Sequence, residues 1–298
     1  MDSELGIIIR AVSGTYDVKL ARQSARSSTV VVCKPRGVFR KTGITPLVGD
    51  RVKVIGTTIT DVLPRLNRFT RPPVANAEVM VLVVSESVPI TDMYVLDTLI
   101  AFAEINGAEP IIAVNKIDLM PTETLFRKYK DAGFSAVRLS AVAGDGIGEI
   151  AAMLSGKICA FAGDTGVGKS SIINAIADAS GAGTPKLAVG TVSGKLGRGR
   201  HTTRTTQLFE IGGGTMLIDA AGFAAVDKVH IPIERLEDAF REFESYSGAC
   251  RFADCRHLRE PGCAIREAVK SGAIAESRYA SYVRLLELAL KRENDKWK

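Results

Sequence analysis

The sequence predicts a multi-domain chain in three parts: an OB-like β-barrel over residues 1–70, a doubly wound α/β P-loop domain over 71–229 with its motifs in circularly permuted order, and a helical zinc-binding domain over 230–298. Three observations carry this. Short β-rich runs give way to strand–helix alternation at Arg71-Pro72-Pro73. An N-K-x-D tetrapeptide stands ahead of a phosphate-binding loop. Three cysteines and a histidine cluster within 14 residues near the end.

The barrel comes first. Gly6–Arg10, Tyr16–Leu20, Thr29–Cys33, Val38–Arg40, Arg51–Ile55 and Thr58–Val62 are rich in Val, Ile and Thr and read as short strands. Ser13-Gly14-Thr15 and Val48-Gly49-Asp50 punctuate them as turns. Strands at this spacing suit an OB-like barrel, and an SH3-like barrel reads much the same. Residues 1–72 carry thirteen basic against five acidic residues, a net +8 within a chain total of +6. Such a segment suits a nucleic-acid-facing module.

The prolines at 72 and 73 stiffen the chain and mark a boundary. Beyond them Glu78–Val84, Pro110–Val114, Ala136–Leu139 and Lys157–Ala162 are apolar strand runs. Asp92–Ile105, Glu123–Ala132, Ile147–Leu154 and Lys169–Ala179 have helical periodicity. Alternation of this kind builds a parallel sheet covered on both faces. Gly181 to Gly199 reads as a long loop, and beyond residue 230 the pattern is helical.

Composition excludes several classes. With 46% hydrophobic and 24% charged residues the chain reads as globular. No apolar run approaches the roughly 18 residues of a membrane helix. The acidic start Met1-Asp2-Ser3-Glu4 and the break of Ile7-Ile8-Ile9 by Arg10 are unlike a signal peptide, so a cytoplasmic location is expected. Five cysteines, an odd count, point to thiols or metal ligands rather than disulfides.

Gly163-Asp164-Thr165-Gly166-Val167-Gly168-Lys169-Ser170 fits G-x-x-x-x-G-K-[ST] between a strand and a helix, with Ser171 next in line. The glycines allow backbone N–H groups to turn toward a phosphate, and the helix adds its positive end. Lys169 reaches the β- and γ-phosphates, and the Ser170 hydroxyl ligates Mg²⁺. Asn115-Lys116-Ile117-Asp118 then selects the base. The Asp118 carboxylate can accept hydrogen bonds from guanine N1–H and the exocyclic amine, which adenine cannot supply. Ser140-Ala141 fits the loop that backs the base. Asp219-Ala220-Ala221-Gly222 follows the strand Thr215–Ile218. Asp219 suits the Mg²⁺ shell and the Gly222 amide suits sensing of the γ-phosphate, although two alanines replace the usual T/S-P. These motifs predict a protein that binds and hydrolyses GTP, with the sensing segment leading straight into the C-terminal domain.

Lys186 to Thr206 is basic and without acidic residues. It offers Thr202 and Thr203 for the Mg²⁺ shell, Thr203 preferred for its place before Arg204. Phe223 follows the D-x-x-G motif and cannot orient water, so His201 becomes the candidate by sequence, with a phosphate-backbone or solvent-facing histidine as the alternative. Cys250, Cys255, His257 and Cys263 form a Cys₃His set suited to a closed, structural Zn²⁺ site. Cys33 and Cys159 fall in apolar strand runs and read as core residues.

Together these motifs resemble the circularly permuted small-ribosomal-subunit biogenesis GTPases of the RsgA (YjeQ) type. The resemblance runs through Arg36-Gly37-Val38-Phe39-Arg40, Val48-Gly49-Asp50, Arg71-Pro72-Pro73-Val74-Ala75-Asn76, Asn115–Asp118, Gly163–Ser171, Gly199-Arg200-His201-Thr202-Thr203 and Cys250–Cys263. It implies an N-terminal OB barrel, a permuted GTPase domain and a C-terminal zinc domain; the chain is expected to be a monomer that binds GTP and GDP. It further implies binding to the 30S subunit and its 16S rRNA late in assembly, with hydrolysis stimulated by the subunit and His201 as catalytic residue. The contrasting reading is an RNA-binding module with a vestigial nucleotide site, prompted by Ala220, Ala221 and Phe223. Permuted GTPases of the large subunit form a third reading, disfavoured by the leading barrel and the zinc cluster.

Overall fold

A computed structural model describes residues 3–21, 29–70, 73–181, 206–212, 214–219 and 231–296, the side chains of Arg40, Asp219 and Lys296 excepted. The chain divides into two compact units, one within 1–80, 148–161 and 170–223, the other within 81–147, 162–169 and 224–298.

The first unit begins with β1 (Glu4–Val12), β2 (Thr15–Leu20), β3 (Val30–Pro35), β4 (Arg51–Ile55) and β5 (Thr58–Val62). Their order is β1-β2-β3-β5-β4, and β4 pairs back onto β1, which closes a five-stranded barrel. Alternation along the strands supplies its core: Ile8, Val18, Cys33, Val52 and Ile59 are wholly buried. Cys33 is a core thiol as expected, and its burial raises its pKa, with Asp17 adding to the effect. Buried Asp50 holds the Arg65 guanidinium through two bonds of 2.7 and 2.8 Å and accepts the Leu47 N–H at 2.7 Å. The V-G-D segment is therefore a turn locked by an ion pair.

The expected strand Val38–Arg40 is instead the start of a short helix, α1 (Val38–Thr42). Val38 and Phe39 carry β-propensity, but Gly43 adopts φ 68 and caps the helix with an N–H bond to the Phe39 carbonyl. Phe39 is buried, so packing and the cap override propensity. Two further strands, β6 (Arg68–Thr70) and β7 (Pro73–Ala75), pair antiparallel. Pro73 opens its strand, where a missing N–H is tolerated.

The same unit holds α4 (Ile147–Leu154) from Gly148 onward, β11 (Ile158–Ala162), α5 (Lys169–Ala179), β12 (Gln207–Gly212) and β13 (Thr215–Asp219). β11 and β13 are parallel, as the strand–helix rhythm predicts. β12, a strand outside the runs that the sequence pattern marks, lies antiparallel to β13; a single register pair, Arg10 with Gln207, joins it to β1. Cys159 is fully buried and its thiol is pushed up to about 12 by burial, then by Glu78, the behaviour of a core residue.

The second unit carries the order β10-β9-β8, with β8 (Val79–Ser85), β9 (Glu109–Asn115) and β10 (Ser135–Arg138). β9 and β10 are parallel, and β8 is buried along its whole length, which explains its unbroken apolar run. Helix α2 (Met93–Ile105) is capped by Asp92, whose carboxylate accepts from Tyr94 N at 2.8 Å; α3 (Thr124–Asp131) follows β9. The C-terminal segment adds α6 (Ile233–Leu236), 3-10 turns at Glu237–Ala239 and Arg241–Phe243, α7 (Ala264–Lys270) and α8 (Glu276–Lys296). Leu236, Phe240, Phe243, Ile265, Tyr282 and Leu286 form its core. Among the described residues no helix is long and apolar enough to cross a membrane.

Candidate nucleotide and metal sites

Asn115 closes β9 and is buried. Its amide donates to the Val167 carbonyl at 2.8 Å, while its side-chain oxygen accepts the Ala141 N–H at 3.2 Å. One side chain thus fastens together three sequence motifs: N-K-I-D, the phosphate loop and the Ser140-Ala141 loop. Ser140 is buried and orders its own loop, its hydroxyl accepting the Ala143 N–H at 3.0 Å. Lys116 adopts φ 67 and donates from Nζ to the Val88 carbonyl at 2.7 Å. Asp118 is exposed, which leaves its carboxylate accessible to a base.

The loop itself depends on two glycines. A Cβ on Gly163 (φ +134) would meet the Val83 carbonyl oxygen at 2.2 Å, and one on Gly168 (φ +103) would meet Asn115 Nδ2 at 2.1 Å. Both positions combine a positive φ with close approach, so only glycine fits. Asp164, Thr165 and Gly166 span the loop and Val167 anchors it, wholly buried. Lys169 folds across the loop and donates to the Gly163 and Asp164 carbonyls at 2.8 and 2.6 Å. Burial pulls its pKa below the usual lysine range, opposed by the Asp164 charge. An entering phosphate offers this ammonium a charged acceptor, and a charge-assisted bond is about twice as strong as a neutral one. Ser170 and Ser171 stand in the first turn of α5, with Ser170 buried. The Asp219 backbone ends β13; its side chain, and all of His201, Thr202, Thr203, Ala220, Ala221, Gly222 and Phe223, lie outside the described residues.

Cys250, Cys255, His257 and Cys263 come together, their ligand atoms all within 4.8 Å of one another. His257 Nδ1 lies 3.6 Å from Cys250 Sγ and 3.4 Å from Cys263 Sγ, and Cys250 Sγ accepts the Ala264 N–H at 3.3 Å. Burial pushes the Cys255 thiol up to about 12, and neighbouring sulfurs add to the rise. A divalent cation at the centre of such a set relieves that repulsion and favours the thiolates. Three sulfurs and one imidazole match the borderline-soft, tetrahedral preference of Zn²⁺, so the residues fit the ion. His257 is itself in a left-handed conformation (φ 59), held there by the Tyr279 hydroxyl, which donates to its carbonyl at 2.6 Å. Residue spacing did not reveal two further participants: Glu237, beside His257, and Val88, beneath Lys116.

The RsgA GTPase family model matches residues 62–229, and the RsgA N-terminal domain model matches residues 5–60. The chain belongs to the RsgA GTPase family. A curated relative in Caldanaerobacter subterraneus subsp. tengcongensis, named small ribosomal subunit biogenesis GTPase RsgA, is 40% identical and aligns over 100% of both chains. Among solved structures, YjeQ from Thermotoga maritima is 35% identical with a TM-score of 0.80, covering 97% of this chain and 99% of its own. YloQ, described as a circularly permuted GTPase, is 29% identical with a TM-score of 0.79, covering 98% and 96%. Membership agrees with the N-terminal barrel and with the permuted order in which Asn115–Asp118 precede Gly163–Ser170.

Proposed function

We propose that this chain hydrolyses GTP to GDP and phosphate in the maturation of the small ribosomal subunit, as its relatives are named for doing. The observation that carries the reading is the double attachment of Asn115, to Val167 at 2.8 Å and to Ala141 at 3.2 Å, which ties base recognition to phosphate binding in one rigid constellation. Asp118 reads the guanine edge, Lys116 supports the base, and Gly163 to Ser171 cradle the phosphates. Lys169 neutralises charge at the β- and γ-phosphates. Ser170, Thr203 and Asp219 are the residues we assign to Mg²⁺, which would supply charge stabilisation at the phosphates. The Gly222 amide is assigned to the γ-phosphate and His201 to water positioning, both on sequence grounds.

The Cys₃His cluster holds one structural Zn²⁺ in this reading. The partner is the 30S subunit through its 16S rRNA, met by a cytoplasmic monomer whose basic barrel supplies charge complementarity. The test is GTP turnover by the purified chain alone, with small subunits, with large subunits and with free RNA, ATP serving as control. Stimulation by small subunits only, abolished in Lys169→Ala and in His201→Ala with nucleotide binding retained by the latter, is expected. Equal turnover under every condition would remove the ribosomal part of the reading.

A further inference from the structure

The metal cluster has a neighbour that no motif contains. Glu237 lies at the junction of α6 and the following 3-10 turn, on the first described segment after the Asp219 motif. Its Oε2 approaches His257 Nε2 at 3.2 Å, ion-pair distance, though obliquely enough that Nε2 has no straight hydrogen bond. Its other oxygen is fixed by the Ser247 hydroxyl, which donates to Oε1 at 2.6 Å. The imidazole is buried to 3% exposure, with the Phe243 and Tyr282 rings each 6.1 Å from it. Its two nitrogens are thereby divided, Nδ1 toward Cys250 and Cys263 and Nε2 toward the carboxylate.

That division has a chemical consequence. An imidazole that ligates through Nδ1 must keep its proton on Nε2, and an acceptor beside Nε2 fixes this tautomer and the ring orientation. We propose that Glu237 is a positioning residue of the C-terminal metal site, holding His257 in the Nε2–H tautomer and so fastening the segment Ile233–Ala239 to the metal cluster. The inference rests on the zinc reading above. It gives the segment Ile233–Ala239 a direct stake in metal binding. Because linkage is reciprocal, whatever displaces Glu237 weakens the metal, and loss of the metal frees Glu237.

Zinc retention by the full-length chain tests this, read as zinc per chain and as release rate to a chromophoric chelator. Glu237→Met fills similar space without an acceptor; Glu237→Gln keeps an acceptor oxygen without the charge. The expected result is release about ten- to hundredfold faster in Glu237→Met, with partial rescue in Glu237→Gln. A purely space-filling role would leave the two alike, and wild-type release in Glu237→Met with zinc bound would overturn the assignment of Glu237 alone. A wild-type chain that binds no zinc would overturn the metal reading and this inference with it. Should the variants fail to fold, the zinc-loaded wild type can still overturn the proposal. The chain has three histidines, and a long-range proton–nitrogen spectrum must show His257 protonated at Nε2. The opposite tautomer would overturn the proposal.

Discussion

Asn115 is the residue on which the N-K-I-D, phosphate-loop and Ser140-Ala141 segments meet, and its surroundings tolerate little change. Gly168 approaches it so closely that a methyl group would stand 2.1 Å from Asn115 Nδ2, at a φ of +103 that alanine already resists. Gly168→Ala must therefore push Asn115 aside and strand the Val167 carbonyl and the Ala141 N–H. Each buried unpaired group costs about 1–3 kcal/mol, enough to weaken GTP and GDP binding at least tenfold. Titration with a fluorescent guanine nucleotide measures this, and an unchanged affinity would refute the packing argument. Asp118 is the residue proposed for base specificity. Its carboxylate offers only acceptors, which suit the two guanine donors; an amide offers one of each. Asp118→Asn is expected to lose GTP affinity by about 1–3 kcal/mol and to gain affinity for xanthosine triphosphate, whose C2 carbonyl accepts what the amide donates. Competition binding with the two nucleotides checks it, and an unaltered GTP preference would remove Asp118 from base recognition.

Between elements, a buried charge cluster joins α8 to α2 in the second unit. Arg278 on α8 donates to Asp97 on α2 at 2.6 Å and to Glu242 at 2.6 and 3.1 Å, with the Phe240 ring 4.5 Å from its guanidinium. Tyr129 from α3 donates to the same Asp97 oxygen at 2.8 Å. Removing the cation leaves two carboxylates buried together. Arg278→Ala should cost about 3–5 kcal/mol, whereas Arg278→Met combined with Asp97→Asn and Glu242→Gln should recover most of it. Urea denaturation of both variants tests the contrast; equal loss would mean that packing, not charge, dominates. This cluster also marks where sequence reading stops. The phosphate loop, the N-K-I-D tetrapeptide and the cysteine cluster are legible because each mechanism needs its residues within one short window. Arg278 and Asp97 lie 181 residues apart, and Glu237 meets His257 across a turn and a loop, so no spacing discloses either pair. The strands of the barrel were legible from alternation, but α1 was not, because its Val and Phe favour extended chain until Gly43 and burial of Phe39 decide otherwise.

Across the whole molecule charge is partitioned as the elements are. Residues 1–72 carry the net +8, the described barrel strands bear Arg10, Lys34, Arg51 and Lys53 exposed, and residues 73–229 are net −3. A chain whose basic excess lies in residues 1–72 should let polyanion binding and nucleotide binding separate experimentally. Binding to RNA phosphates releases counterions, so affinity for small subunits should fall linearly in log–log form with salt. Guanine-nucleotide affinity, which depends on a few charges held at close range, should respond less. Lys34 and Lys53 stand on β3 and β4, clear of the nucleotide motifs in sequence. If both meet phosphates, Lys34→Ala and Lys53→Ala should each lower the salt slope of subunit binding by about 1 and leave nucleotide affinity unchanged. Binding measured across a salt series for the wild type and both variants decides the matter. An unchanged slope in both variants would remove Lys34 and Lys53 from the phosphate contacts.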